Sequence, residues 1–361
     1  MTKSEIMKTI TILIAIIILG LNPLVAQLKT YTEKEISYKV DNVTISGTLT
    51  IPDSENPVPV AILISGSFAD NRDAERNGFK PFKEISNHLA LNGIASFRYD
   101  DRGVGKSSGK HTYQYEIKDL ANDVIGAIEI LKNEQKINHQ QIGLIGHSLG
   151  GLIAPMIAST NQDIAFIISL AGTIAEPDKV NINYRKRVLT QAGYPKEEIE
   201  KVIGLEERIV ETTLSGIGYE SLLSDIKAQS KLDFGRLPEA SKKKYSGWED
   251  YYNNSWYGSW APFINTPFLK SFLAYNPIID LEKVKCPGLY LFGSRDSQIR
   301  ILDAGSLLIE SLSKAGNNNF TIRVVPNADH YFVTKWAQSD TKFASGFLNI
   351  LFDWINQQIE K

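Results

Sequence analysis

The sequence predicts an α/β protein: a mostly parallel, doubly wound sheet, opened by an antiparallel pair of strands and interrupted by one long, mainly helical insertion. Three observations predict it. Residues 60–64, 94–99, 142–145 and 164–170 are continuous apolar runs, as in strands covered on both faces. Residues 81–91, 117–133 and 149–159 repeat apolar side chains at helical spacing and separate most of those runs, which implies right-handed crossovers. The strand-helix alternation then stops after Leu170-Ala171-Gly172 and returns with strand-like segments at 287–292 and 320–325.

Taken from the amino terminus, residues 1–26 read as a secretory signal. Lys3 and Lys8 precede an apolar run from Ile10 to Leu21, then the breaker Asn22-Pro23, with cleavage expected after Ala26. The run is shorter than the roughly 20 residues of a spanning helix, so an uncleaved membrane anchor is the alternative reading. A periplasmic or secreted protein is therefore expected. Residues 35–40 and 43–51 alternate in polarity around Asp41-Asn42 and form the antiparallel opening pair. The first part of the core is assigned to 27–173, an inserted cap to 174–276, and the second part of the core to 277–361. Within the cap, residues 196–228 have helical periodicity, and residues 248–275 are rich in aromatics, among them Trp256 and Trp260.

Composition narrows the function. With 39 basic against 41 acidic side chains the net charge is −2, and no basic excess exists to release counterions from a polyanion, so nucleic acid is not expected as a partner. Cys286 is the one cysteine, which excludes an intramolecular disulfide; its apolar neighbours make it a buried structural thiol. Gly105-Lys106-Ser107 suggests a phosphate loop, but Asp100 stands where the pattern needs its first glycine. That segment is read as a structural loop held by Asp and Arg pairing. No ligand spacing for a metal appears, and no cofactor is expected.

The chemistry is carried by Gly146-His147-Ser148-Leu149-Gly150, which follows the apolar run at 142–145 and opens the helical pattern at Leu149. A serine on a sharp strand-to-helix turn presents its hydroxyl above the sheet, and glycines around it permit the close packing the turn demands. Serine is a weak nucleophile near neutral pH and needs a base, itself oriented by a carboxylate. Of the five histidines, His88, His111 and His139 precede the serine, and His147 belongs to the elbow, where its side chain is expected to turn away from Ser148. His330 follows the run at 320–325 and is the expected base. Asp296, on the loop after the strand at 287–292, is the expected acid, with Asp178 as the alternative; Asp329 adjoins His330 and should diverge from it, and Asp303 falls in the next helix. The tetrahedral oxyanion needs two backbone N–H donors, each contributing about 3 kcal/mol to lowering the barrier. Leu149 supplies one, and Ser67 in Ser65-Gly66-Ser67-Phe68 the other, or Phe68 in its stead. Phe68, His147, Trp256 and Trp260 are the expected substrate contacts.

These elements together resemble the α/β-hydrolase superfamily, in its branch of serine esterases and serine-aminopeptidase-like hydrolases. The matching segments are Ser65-Gly66-Ser67, the loop from Asp100 to Ser107, the elbow, Asp296 and His330, and they span nearly the whole chain outside the cap. The resemblance implies Ser148 as nucleophile, His330 as base, Asp296 as its orienting acid and Ser67 with Leu149 as oxyanion hole. Many members have His-Gly where this chain has Ser65-Gly66, and esterases with Ser-Gly-Ser commonly continue with Gly-Pro rather than Phe68-Ala69. The expected activity is cleavage of small-molecule carboxylic esters through an acyl-enzyme. The alternatives are an aminopeptidase-like peptidase, using Glu206-Glu207 to hold a substrate ammonium, and a non-catalytic binding protein on the same scaffold.

Overall fold

The computed structural model describes residues 30–67, 69–255, 257–258, 261–337 and 340–359. The leader expected at 1–26 lies outside them, as do Phe68, Trp256 and Trp260. No helix among the described residues is long and apolar enough to cross a membrane.

Eight strands form one sheet: β1 (Tyr31–Val40), β2 (Val43–Pro52), β3 (Val58–Ile64), β4 (Ala95–Tyr99), β5 (Ile137–His147), β6 (Ile164–Leu170), β7 (Gly288–Gly293) and β8 (Phe320–Val325). Their spatial order is β1-β2-β4-β3-β5-β6-β7-β8. β1 and β2 pair antiparallel, β2 pairs antiparallel with β4, and the remaining neighbours are parallel. β3, β4, β6 and β5 from residue 142 onward are almost wholly buried, which explains why each reads as a continuous apolar run rather than an alternating one. The expected mostly parallel sheet with an antiparallel opening pair is thus the observed one. β5 is longer than its apolar run because polar residues 138–141 extend it toward its exposed end.

The order carries a functional consequence. The chain leaves β3 through helix α1 (Pro81–Leu91) to reach β4 on one side, then crosses by α2 (Ile117–Lys132) to β5 on the other side of β3. The loops after β3 and β5 therefore diverge at the point where the winding reverses, and a crevice opens at the carboxyl ends of these strands. Helix α3 (Leu149–Ala158) follows β5 without a loop.

Between β6 and β7 the chain runs through α4 (Pro177–Gln191), α5 (Lys196–Ser215), α6 (Tyr219–Arg236), α7 (Glu239–Lys242), α8 (Trp248–Asn254), α9 (Pro267–Ala274) and α10 (Ile278–Leu281). The helical stretch expected at 196–228 is broken in two, because Gly216 and Gly218 take left-handed φ values of 73° and 86° that end α5 and start α6. This insertion packs a core of its own, with Leu189, Val202, Leu205, Leu222, Ile226 and Ile264 among its buried members. Helix α11 (Ile301–Lys314) joins β7 to β8, and α12 (Phe347–Ile359) closes the chain, burying Phe347, Leu351, Trp354 and Ile355 in the main core.

Two expectations about the interior are refined. The Asp100–Ser107 loop is held by Asp–Arg pairs, but with partners from elsewhere. Arg72 donates to Asp100 from its side chain and its backbone N–H, while Arg102 forms a buried two-pronged pair with Asp123 of α2, both contacts at 2.7 Å. In both pairs the guanidinium meets its carboxylate across a tertiary contact rather than within the loop. Cys286 is half-buried against the core, and burial pushes its thiol up to about 12.

Candidate active site

Ser148 sits where β5 turns into α3, with φ 54° and ψ −112°, a conformation that side-chain-bearing residues avoid. Its neighbours make the strain tenable. A Cβ on Gly146 would stand 1.9 Å from the carbonyl oxygen of Gly150, and one on Gly150 would stand 2.2 Å from that of Ile64, so neither position admits a side chain. The backbone is anchored across the sheet, since Ser148 N–H donates to Leu170 O at 2.9 Å. As the first residue of α3, Leu149 carries an N–H with no acceptor inside the helix, and it faces the helix's positive end.

His330 follows β8, and Asp296 follows β7. His330 Nδ1 donates to Asp296 Oδ2 at 2.8 Å, and both residues are buried. The other carboxylate oxygen accepts the N–H groups of Gln298 and Ile299 at 2.8 and 3.0 Å, which fixes the plane of the acid. The imidazole proton is thereby held on Nδ1, leaving Nε2 as the basic nitrogen. Asp178 lies at the start of α4 and makes no contact with His330 among the described residues, and Asp303 pairs with Arg187 at 2.7 Å. Asp329 diverges from its neighbour as expected: its carboxylate accepts the N–H groups of Tyr331 and Val333 and the indole of Trp336, so it shapes the loop that carries the histidine.

His147 departs from expectation. Its ring does not turn away from the site but packs 4.9 Å from the His330 ring, and Nε2 donates to the His330 carbonyl at 2.9 Å. A buried imidazole needs an acceptor for its N–H, and that carbonyl is the one in reach. Burial, reinforced by repulsion from His330, pushes the His147 pKa down to about 3.

Ser148, His330 and His147 border one cavity of about 140 Å³, together with Gly66 and Ser67 from the loop after β3. Among the described residues the insertion contributes Pro177, Val180, Asn181 and Tyr184 from one face of α4, and Phe272 from α9. Asp70, Arg76 and Tyr331 complete a polar wall in which the Arg76 guanidinium pairs with Asp70 and lies 5.8 Å from the Tyr331 ring. The sequence offered one hint to this wall, the adjacency of Tyr331 to His330; α4 gave none, because its apolar face is narrow. Glu206, offered for an ammonium, instead lies beside Arg185 within the insertion at 3.6 Å, away from the cavity.

With the geometry described, similarity to known proteins can be stated. Residues 79–201 match the model of the serine aminopeptidase (S33) family. The chain is 27% identical over 261 residues to an uncharacterized 31.7 kDa protein in the traX-finO intergenic region of Escherichia coli, covering 70% of this chain and 78% of that one. It is 26% identical over 151 residues to the thiohydrolase aneE of Aspergillus aculeatus, covering 40% and 43%. An esterase of Pyrococcus furiosus shares the fold at a TM-score of 0.54 and 18% identity, with 92% of this chain and 91% of that one covered. These relatives support hydrolase chemistry. The sheet order, the strained serine after the fifth strand and the likeness to this solved structure give the chain the α/β-hydrolase fold, with residues 79–201 similar to the serine aminopeptidase family.

Proposed function

We propose that the chain is a serine esterase that cleaves small carboxylic esters through an acyl-enzyme. The observation that carries this reading is the 2.8 Å bond from His330 Nδ1 to a fully bonded Asp296, on the same cavity as the strained Ser148. Ser148 Oγ attacks the ester carbonyl carbon while His330 Nε2 takes its proton. The N–H groups of Leu149 and Ser67 stabilise the oxyanion. Collapse of the tetrahedral intermediate breaks the carbon–oxygen bond, and the imidazolium returns its proton to the departing alkoxide. Water then attacks the acyl-enzyme with His330 again as base, releasing the acid and restoring Ser148. Asp296 holds the tautomer and stabilises the imidazolium throughout. The pattern of residues 1–26 supports export, which sequencing of the mature amino terminus checks.

The test is labelling with a fluorophosphonate followed by turnover of chromogenic esters against aminoacyl amides. The expected result is labelling at Ser148, ester turnover well above amide turnover, and loss of both in Ser148→Ala with unchanged folding. Faster amide turnover would favour a peptidase, and a wild-type chain that does not label would favour a binding role.

A further inference from the structure

Asp101, the second residue after β4, has a sealed carboxyl group that no step of the proposed reaction uses. Ser65 Oγ donates to its two oxygens at 2.8 and 2.9 Å, and the N–H of Asp70 donates to Oδ2 at 2.8 Å. The backbone adds a return bond, from the Asp101 N–H to the carbonyl of Asp70 at 3.0 Å. One residue thus grips both ends of the segment from Ser65 to Asp70. Among the described residues that segment has no helix or strand of its own to hold it.

The middle of the segment lies against the nucleophile. A Cβ on Gly66 would fall 3.5 Å from Ser148 Cβ and 3.5 Å from His147 Nδ1, so Ser67 follows a residue in contact with the elbow. Among the described residues no cation lies within ion-pairing distance of Asp101. An unpaired acid costs stability when buried, and an apolar residue at the same place would relieve that cost. The hydrogen bonds of its carboxylate are instead all spent on this loop.

We propose that Asp101 is a positioning residue, which sets the Ser67 N–H against the oxyanion by clamping Ser65 and Asp70 together. The inference rests on the esterase reading in naming Ser67 as a donor. Oxyanion stabilisation depends on donors fixed before charge develops, and a loop freed at both ends loses that alignment.

The experiment uses the full chain with Asp101→Ala, Asp101→Asn and Ser65→Ala. Turnover of a chromogenic acetate ester is measured per fluorophosphonate-titrated site, so that misfolded protein is not counted, together with inhibition by an aryl trifluoromethyl ketone, which forms a tetrahedral adduct. Asp101→Ala should lower kcat by about 10- to 100-fold with KM changed less than about threefold, and weaken the ketone by a similar factor. Asp101→Asn should recover most of both, because burial pushes the Asp101 carboxyl well above its usual range and a neutral amide of the same shape can keep both contacts. Ser65→Ala should fall between. Unchanged kcat per titrated site in Asp101→Ala, or in Ser65→Ala where the first variant does not fold, would overturn the clamp. So would equal losses in the alanine and asparagine variants. A wild-type chain that labels but cleaves no ester would sink the esterase reading alone, and the clamp would then be judged by the labelling rate constant of the same variants.

Discussion

His147 Nε2 donates to the carbonyl oxygen of His330 at 2.9 Å, so the residue before the proposed nucleophile holds the backbone of the residue proposed as its base. The elbow and the loop after β8, 183 positions apart in the chain, are tied by this bond. Its electrostatic side is measurable. His147 stays neutral in the folded chain until about pH 3, whereas the unfolded chain takes up the proton near 6.5. Below 6.5 the unfolded state therefore binds more protons, and stability falls as the pH drops from 6.5 toward 3. His147→Gln keeps a donor for the carbonyl and cannot titrate. Urea denaturation at a series of pH values should show the wild type losing up to roughly 4 kcal/mol relative to this variant across that window. Parallel curves would remove His147 as the source.

Asp296→Asn should preserve the fold and lower kcat by about 10⁴-fold, because an amide favours the wrong tautomer of His330 and cannot stabilise the imidazolium. Asp178→Asn should change kcat less than about twofold, since Asp178 makes no contact with the imidazole among the described residues. Steady-state kinetics on one ester decides between them, and the reverse pattern would reassign the acid.

Asp123→Ala should destabilise the chain by about 3 to 5 kcal/mol, because it strands a guanidinium that is only 2% exposed. Arg102 also stacks 4.5 Å from the Tyr115 ring and cannot swing to water without losing that contact. Equilibrium denaturation measures the loss. A change below about 1 kcal/mol would mean that Arg102 finds another partner.

Tyr184→Ala should alter relative kcat/KM between short and long acyl esters by about 10- to 100-fold while leaving the fluorophosphonate-labelled fraction unchanged. The residue lies on the face of α4 that lines the cavity but belongs to the insertion rather than to the sheet. A uniform fall across acyl lengths would show that it packs the roof instead of sorting substrates. Trp256 and Trp260, the sequence's own choices for this role, lie outside the described residues.

Much of the fold was legible along the chain, because it depends on periodicity and on turns, both local properties. Strands covered on both faces must be continuously apolar, and β6 lies where its run does, whereas the edge strand β8 is marked by its β-branched residues with Thr321 and Arg323 exposed. The elbow was legible because its glycines flank Ser148 in a local pattern: Gly146 is demanded by the approach of Gly150, although Gly150 itself is demanded by Ile64 on β3. The terminal helix α12 went unread although Phe347, Leu351, Trp354 and Ile355 recur at helical spacing and form its buried face. Only the tertiary structure decided which side chains meet. Asp123 answers Arg102 from 21 positions away, Asp101 reaches back 36 to Ser65, and the His147 ring turns inward because the His330 carbonyl is there to receive its proton. Hydrogen-bond partners of buried polar groups are chosen by proximity in space once the sheet has formed, and spacing along the chain carries no record of that choice.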